Sequence, residues 1–332
     1  MLRCGSGAHA LGLLLVTMAL VGAGNMNADG AAGEPAARLP ASPSAACSVS
    51  FGVSTPAGAD DFSELDTFER DAAKRVGLVS YFQGFAHHRD FDRSAAESIR
   101  RRGAQPMITW EPWDYRSGPK QRRFALRRII DGTHDAYIRR WATDIKAWGK
   151  PLLLRFAHEM NGDWYPWAET ANGNAAGDYV KAWRHVHRIF RALGAGNARW
   201  VWSPNVAYDG SAPLAALYPG DRYVDWVGLD GYNWGASRPG KRWQSFETIF
   251  GPTLAEIAHI TRKPLMLGEV ASSEVAGDKA AWIADFFAAL RRHPQIRAFV
   301  WFEHDKETDW RIRSSETARS AFAAGIADPR YC

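Results

Sequence analysis

Cysteine is scarce in this chain, with three in 332 residues, at Cys4, Cys47 and Cys332. One disulfide is therefore the most that can form within it. Long apolar runs are missing too, since the run over residues 11–21 is too short to cross a bilayer. Charge of one sign never gathers into a block. The formal net charge of +5 comes from Lys and Arg interspersed with carboxylates, and basic stretches such as 122–128 mix with apolar residues as solvated helix faces do. A nucleic-acid partner is not expected. A Gly-rich phosphate loop, a Ser-His-Asp context and short-period repeats are also absent, which sets aside nucleotide-dependent transfer, serine-hydrolase chemistry and solenoid architecture.

What is present begins with an export signal. Arg3 supplies positive charge, residues 11–21 form the apolar centre, and the small residues Gly22 and Ala23 follow Val21. A signal peptide over 1–23 is expected, with the mature protein secreted or periplasmic and free of the membrane. Residues 24–46 are mostly Ala, Gly, Pro and Ser, a composition that cannot bury enough apolar surface to fold, so a disordered leader is expected there. The packed domain then runs over 47–332.

Within that domain, short apolar runs alternate with longer amphipathic stretches for the whole length, the pattern of βα units. Strands are expected near 50–53, 78–82, 105–110, 151–156, 199–202, 224–229, 264–268 and 298–302. The clearest helices fall at 137–148, 179–192, 248–260, 280–292 and 317–324, with a short one at 214–217. Eight such units without a second composition zone predict a single-domain α/β fold, the (β/α)8 TIM barrel, whose usual size is roughly 250 residues plus insertions. In a closed barrel the first strand and last helix are neighbours, so Cys47 and Cys332 are expected to pair in an oxidising compartment. The alternatives are two unpaired thiols, or a lipid anchor on Cys4, which the apolar run would have to precede rather than follow.

Barrel enzymes keep their chemistry at the C-terminal ends of the strands. The fourth strand ends in Arg155-Phe-Ala-His158-Glu159-Met-Asn-Gly-Asp-Trp164-Tyr-Pro-Trp167, a carboxylate among aromatic planes, and the seventh ends in Gly268-Glu269. Both follow a Lys-Pro-apolar run, and the two strand ends face each other across a barrel mouth. Retaining cleavage of a glycosidic bond needs two such carboxyl groups, roughly 5–5.5 Å apart, one to protonate the leaving oxygen and one to attack the anomeric carbon. Glu111, in Thr109-Trp110-Glu111-Pro-Trp113, is the rival carboxylate. Trp110, Trp113, Trp164, Trp167, Trp234 and Trp301 sit at strand ends where sugar faces could stack on them, although tryptophan also fills cores. Arg155 is placed to pair with a carboxylate and keep Glu269 ionised. His158 is placed to bond the sugar or to orient Glu159, and Asp230 to bind sugar or fix a loop. Adjacent histidines such as His87 and His88 point to opposite faces of a strand, so no metal is expected there.

The segment His158-Glu159-Met-Asn-Gly162 with Trp164 and Trp167, followed by Gly268-Glu269 after a Lys-Pro-apolar strand, resembles glycoside hydrolase family 26 over most of the chain. That resemblance implies a retaining enzyme on a (β/α)8 barrel, with Glu159 as general acid/base and Glu269 as nucleophile. It also implies that Tyr232 hydrogen-bonds the nucleophile, that Trp301 floors the sugar beside it, and that His88 reaches a sugar hydroxyl. Family members are mostly endo-β-1,4-mannanases, with some mixed-linkage β-glucanases and β-1,3-xylanases. The expected activity is a secreted endo-β-glycanase acting as a monomer on β-mannan or mixed-linkage β-glucan, without a cofactor. The ending Val300-Trp-Phe-Glu-His-Asp-Lys306 looks closer to the glucanase-like members. A non-catalytic polysaccharide-binding barrel or a transglycosylating remodeller are the other readings.

Overall fold

The computed structural model describes residues 47–87 and 89–332. The signal and leader expected over 1–46, and His88, lie outside the described residues. Parallel strands alternate with helices as β1 (Ser50–Ser54), α1 (Ser63–Ala72), β2 (Leu78–Gly84), α2 (Arg93–Arg101), β3 (Gln105–Glu111), α3 (Leu126–Ile130), α4 (Asp135–Trp148), β4 (Leu152–Phe156), α5 (Asp178–Leu193), β5 (Ala198–Trp202), α6 (Leu214–Leu217), β6 (Trp226–Val227), β7 (Asp230–Asn233), α7 (Phe246–Ile260), β8 (Leu265–Ser272), α8 (Lys279–Arg292), β9 (Ile296–Phe302) and α9 (Glu316–Ile326). Ladders join β1 to both β2 and β9 and run through β5 to β6, which pairs with β8. The sheet therefore closes on itself as a (β/α)8 barrel.

The sixth barrel strand is in two pieces, β6 and β7, where a single run over 224–229 is expected. Pro204 in the neighbouring chain has no N–H to return. Its carbonyl accepts from Asp230 N at 3.0 Å, and the ladder reverses only at Val206 N, which donates to Asp230 O at 2.8 Å. Strand β8 extends to Ser272, past the predicted end, because Gly231, Tyr232 and Asn233 give Val270, Ala271 and Ser272 partners.

Most positions of the barrel strands are buried, on both faces, so apolar residues fill both layers. Leu78, Met107, Leu153, Val201, Met266, Ala298 and Val300 plug the barrel interior, all but the small Ala298 worth roughly 1.5–3 kcal/mol when fully buried. A larger layer between barrel and helices holds Trp110, Trp141, Trp183, Trp202 and Trp301. The period-2 alternation of a strand then decides what lies above the plug. Two residues beyond Met107, Leu153 and Met266 come Thr109, Arg155 and Gly268, and there the interior turns polar.

The ends of the domain meet as expected. Cys47 and Cys332 form a disulfide with Cα atoms 5.8 Å apart. Beside it Cys332 N donates to Val49 O at 3.0 Å and Phe51 N to Cys332 O at 2.8 Å, so the C-terminus is hydrogen-bonded onto the start of β1. Among the described residues no helix is long and apolar enough to cross a membrane.

Candidate active site

Arg155 is the hub of the polar layer. Fully buried, it donates from Nε to Thr109 Oγ1 at 2.9 Å, from Nη1 to Asp230 Oδ1 at 2.9 Å and Oδ2 at 3.0 Å, and from Nη2 to Glu269 Oε1. Burial alone would lower the guanidinium pKa, but the carboxylates of Asp230 and Glu269 more than offset it, so the charge stays. Gly268 makes the room. A Cβ there would lie 2.5 Å from Asp230 Oδ1, 2.8 Å from Ser203 Oγ and 3.1 Å from Arg155 Nη1.

Glu269 takes its second hydrogen bond on Oε2 from the hydroxyl of Tyr232. Burial, then the carboxylates of Glu269, Glu159 and Asp230, hold that phenol well above its ordinary pKa, so it remains a neutral donor. Both partners donate, so each oxygen of Glu269 is held from its own side.

Glu159 is placed by a sharp turn after β4. Ala157 and Glu159 adopt left-handed φ of 45° and 50°, a conformation that costs non-glycine residues of order 1 kcal/mol and concentrates at functional sites. The turn is pinned by Glu159 N, which donates to Ser203 O at 2.6 Å, and Ala157 N, which donates to Trp110 O at 3.1 Å. The Glu159 carboxyl accepts from Trp164 Nε1 at 2.8 Å and from Asn205 Nδ2 at 2.7 Å. Burial, then the nearby Glu269 carboxylate, push it up to about 7 despite those two donors. The influence of Glu269 on Glu159 puts both carboxyls in one electrostatic neighbourhood. One is raised toward neutrality by burial and the other accepts two hydrogen bonds, an unequal setting of the kind an acid/nucleophile pair needs.

Glu111 ends β3 opposite Gly84 and is 6% exposed. Burial pushes it up to about 7 as well, and it lies within the fields of Arg155 and Glu269. It belongs to the same cleft. His158 is buried against the rings of Phe82, Tyr165 and Trp167, and burial holds it neutral. Its Nδ1 has no partner among the described residues, and its carbonyl accepts from Trp167 Nε1 at 2.6 Å. It makes no hydrogen bond to Glu159.

The structure corrects several of the expected sugar contacts. Trp110 and Trp301 face outward, away from the barrel mouth. Trp110 stacks on Trp141 at 4.6 Å and contacts Phe85 and Phe156, while Trp301 contacts Phe286 and Phe322 and donates to Trp310 O at 3.1 Å. Both are fully buried between barrel and helices, so neither offers a face to a sugar. Trp167 is likewise closed off, stacked on Tyr165 at 4.3 Å. Asp230 is fully buried with both oxygens taken by Arg155 and one also by Ser203, so it is the counter-ion of the hub rather than a sugar ligand. Trp234 keeps partial exposure, but the Arg238 guanidinium covers one face at 4.0 Å. Trp113 and Trp164 remain partly exposed at the rim.

Other residues at the site carry little signal in sequence. Asn205 follows β5 and reaches Glu159, held in turn by Asn161, whose Oδ1 accepts from Asn205 N at 2.9 Å and whose Nδ2 donates to Asn205 O at 2.9 Å. Thr109 and Ser203 anchor the hub. The exposed large apolar side chains of the described residues are Phe82, Tyr115, Trp164, Tyr208 and Val275, and all lie at or just beyond the C-terminal ends of strands. Of these, Trp164 and Tyr208 are in contact with each other. Among the described residues no group of three or more His, Cys, Asp or Glu is arranged to hold a metal ion.

Comparison with known proteins bears on the family and the fold. The profile of the family described as Glycosyl hydrolase family 26 matches residues 125–290. Endoglucanase H of Acetivibrio thermocellus is 39% identical over 80% of the chain, and the Mannan endo-1,4-beta-mannosidase A and B of Caldalkalibacillus mannanilyticus is 41% identical over 26% of it. The chain spans 30% of the first of these proteins and 17% of the second. Among solved structures, a GH26 beta-mannanase from Bacteroides ovatus superposes with a TM-score of 0.63 at 17% identity, covering 86% of this chain and 90% of that one. At that identity the likeness speaks for the fold.

Proposed function

The chain belongs to glycosyl hydrolase family 26, and on that premise we propose that it is an exported, retaining endo-β-glycanase whose catalytic unit is residues 47–332. The observation that carries this reading is the unequal treatment of two carboxyls. Glu269 receives Arg155 and Tyr232, while Glu159 is raised to about 7.

In the first half-reaction Glu159 gives its proton to the glycosidic oxygen while Glu269 attacks the anomeric carbon. The bond to the leaving sugar breaks and a glycosyl ester on Glu269 forms. Glu159, now a carboxylate, then takes a proton from water as the water oxygen attacks the same carbon and releases Glu269. No cofactor enters. Arg155 and Tyr232 hold the nucleophile's rotamer, and Trp164 and Asn205 hold the acid/base.

Among polymers, β-1,4-linked or mixed-linkage glucan is the first choice, because the alignment with a protein named as an endoglucanase covers most of the domain. β-Mannan is second, on a shorter alignment. Export is supported by the N-terminal signal pattern and by a disulfide, which persists in oxidising compartments.

The test is reducing-end release from mannan, glucomannan, barley mixed-linkage glucan and β-1,3-xylan by the wild type, Glu159→Ala and Glu269→Ala. Wild-type cleavage of at least one polymer, with the β-anomer appearing first by proton NMR, is expected, and both variants should be silent. Near wild-type turnover in either variant, or an α-anomer first, would sink the proposal.

A further inference from the structure

Lys279 stands at the first position of α8 and is fully buried. Both placements work against a cation. Lysine is almost never fully buried without partners, and the N-terminal end of a helix dipole disfavours positive charge. Its ammonium nevertheless finds an acceptor for each of its N–H bonds, in Arg311 O at 2.7 Å, Ser314 Oγ at 2.8 Å and Asp309 O at 3.3 Å. Burial draws its pKa down to about 8, while the carboxylates of Glu274, Asp309 and Glu303 oppose that fall and Arg311 adds to it, so the ammonium keeps its charge at neutral pH. All of these partners belong to the turn after β8 or to the segment 303–314 that follows β9.

The two carbonyls that Lys279 grips flank Trp310. The rest of that residue is pinned as well. Its N donates to His304 O at 2.9 Å, its carbonyl accepts from Trp301 Nε1 at 3.1 Å and its Nε1 donates to Glu307 Oε2 at 3.2 Å. Around it Ile312 N donates to Glu303 Oε2 at 2.8 Å, the hydroxyls of Ser314 and Ser315 each donate to Glu274 Oε1 at 2.8 Å, and Arg311 grips Asp305 and Asp309. What this fixes is the buried ring of Trp310, whose centroid lies 5.1 Å from that of Tyr232 and 4.8 Å from that of Trp234. Phe302 packs edge-on to the Tyr232 ring at 5.6 Å. Tyr232 is the phenol that donates to Glu269.

We propose that Lys279 is a positioning residue for the nucleophile: through the carbonyls on either side of Trp310 it holds that ring against Tyr232, and Tyr232 in turn fixes the Glu269 carboxylate for attack. This rests on the glycanase reading above. Lys279 itself touches neither sugar nor reacting atoms. A neutral side chain of the same length would strip Asp309 O, Arg311 O and Ser314 Oγ of the donor that sits among them, and buried polar groups move to replace a lost partner. The segment then shifts, Trp310 shifts with it, and the phenol loses the wall that sets its angle. A misplacement of about 1 Å at the reacting groups costs about a hundredfold in rate.

The experiment compares wild type, Lys279→Met, Tyr232→Phe and the double variant in a step that needs Glu269 but no proton from Glu159. The probes are 2,4-dinitrophenyl 2-deoxy-2-fluoro-β-cellobioside and the corresponding β-mannobioside. Glu269 attacks the anomeric carbon, the bond from that carbon to the leaving oxygen breaks, dinitrophenolate departs with the electron pair, and a long-lived glycosyl ester stays on Glu269. Release of dinitrophenolate gives the labelling rate constant and the probe concentration that half-saturates it, and intact mass gives the fraction of molecules labelled. Lys279→Met should lower the rate constant per labelled molecule by about ten- to a hundredfold and leave the half-saturating concentration within about twofold of wild type. In the Tyr232→Phe background the same substitution should change the rate constant by less than about twofold, because the hydrogen bond it acts through is already gone.

A lysine that serves the fold alone would lower the labelled fraction and leave the rate constant per labelled molecule untouched, and that result overturns the proposal, as does an equal loss in the two backgrounds. If Lys279→Met does not fold, Ser314→Ala removes one acceptor of the ammonium and should lower the same rate constant in the presence of Tyr232 only, and an unchanged rate constant overturns the proposal there too. A wild type that neither probe labels overturns this proposal together with the retaining mechanism it rests on, whereas a labelled wild type with an indifferent Lys279→Met overturns this proposal alone.

Discussion

Replacing Arg155 by Met keeps the length of the side chain and removes its charge, and the consequence follows from what Arg155 holds. Its guanidinium is the shared partner of Asp230 and Glu269, which are 0% and 5% exposed. Two carboxylates would be left facing each other in a dry interior. Removing one partner of a buried pair costs about 3–5 kcal/mol, because the remaining charge keeps its desolvation penalty without compensation. That is a large part of the roughly 5–15 kcal/mol that keeps a domain folded. The variant relieves the cost by taking up a proton, and this sets the sign of its pH dependence. Carboxyls whose folded pKa is raised stabilise the fold below their unfolded values and lose that stability as pH rises through the folded ones. Denaturant unfolding should therefore show a gap between wild type and Arg155→Met that is smallest at about pH 4 and reaches about 3–5 kcal/mol near about pH 8. Turnover should fall as well, because Glu269 loses the donor that fixes one of its oxygens. Adding Asp230→Asn should recover part of the stability and little of the activity. A gap below about 1 kcal/mol at pH 8, or one that widens toward acid, would refute the view that Arg155 is the electrostatic keystone of the site.

Asn205→Ala removes a donor 2.7 Å from Glu159 Oε1 that favours the ionised form, so Glu159 should rise further above its present value of about 7. The alkaline limb of kcat/KM, where the acid loses its proton, should then move up by about half to one pH unit. A limb that stays or moves down contradicts the assignment of Glu159 as the acid. Glu111→Gln tests the other raised carboxyl in the cleft, which burial takes from 4.5 to about 7. The folded wild type binds that proton more tightly than the unfolded chain, so its stability falls as pH climbs through this window. The Gln variant has no proton to lose. It should match wild type at about pH 4 and exceed it by about 1–3 kcal/mol at about pH 8, and equal stabilities at pH 8 would show that Glu111 is solvated.

How far the sequence could be read depended on whether a signal was local. Helix and strand alternation was visible because each unit carries its own periodicity, and β4, β8, α5 and α8 lie within a few residues of where that pattern puts them. Glu159 and Glu269 were visible because each ends an apolar run. What the sequence hides is the phase of each strand. Buried on both faces, a barrel strand reads as one continuous apolar run, so nothing in β3 says whether Thr109 or Trp110 points inward. From the run alone, Trp110 and Trp301 fit the cleft as well as they fit the helix layer. A buried charge resolves the ambiguity. Arg155 has to find carboxylates, and these lie inside the barrel, so its neighbours Leu154 and Phe156 must face the helices. The register then carries the phase sideways, since Thr109 pairs with Arg155 and Trp110 with Phe156. Trp110 is outward by necessity once Arg155 is inward. No comparable rule reaches Asn205 or Tyr208, because both sit on the loop after β5, and its path is set by Asn161 and Thr253 from elsewhere in the chain.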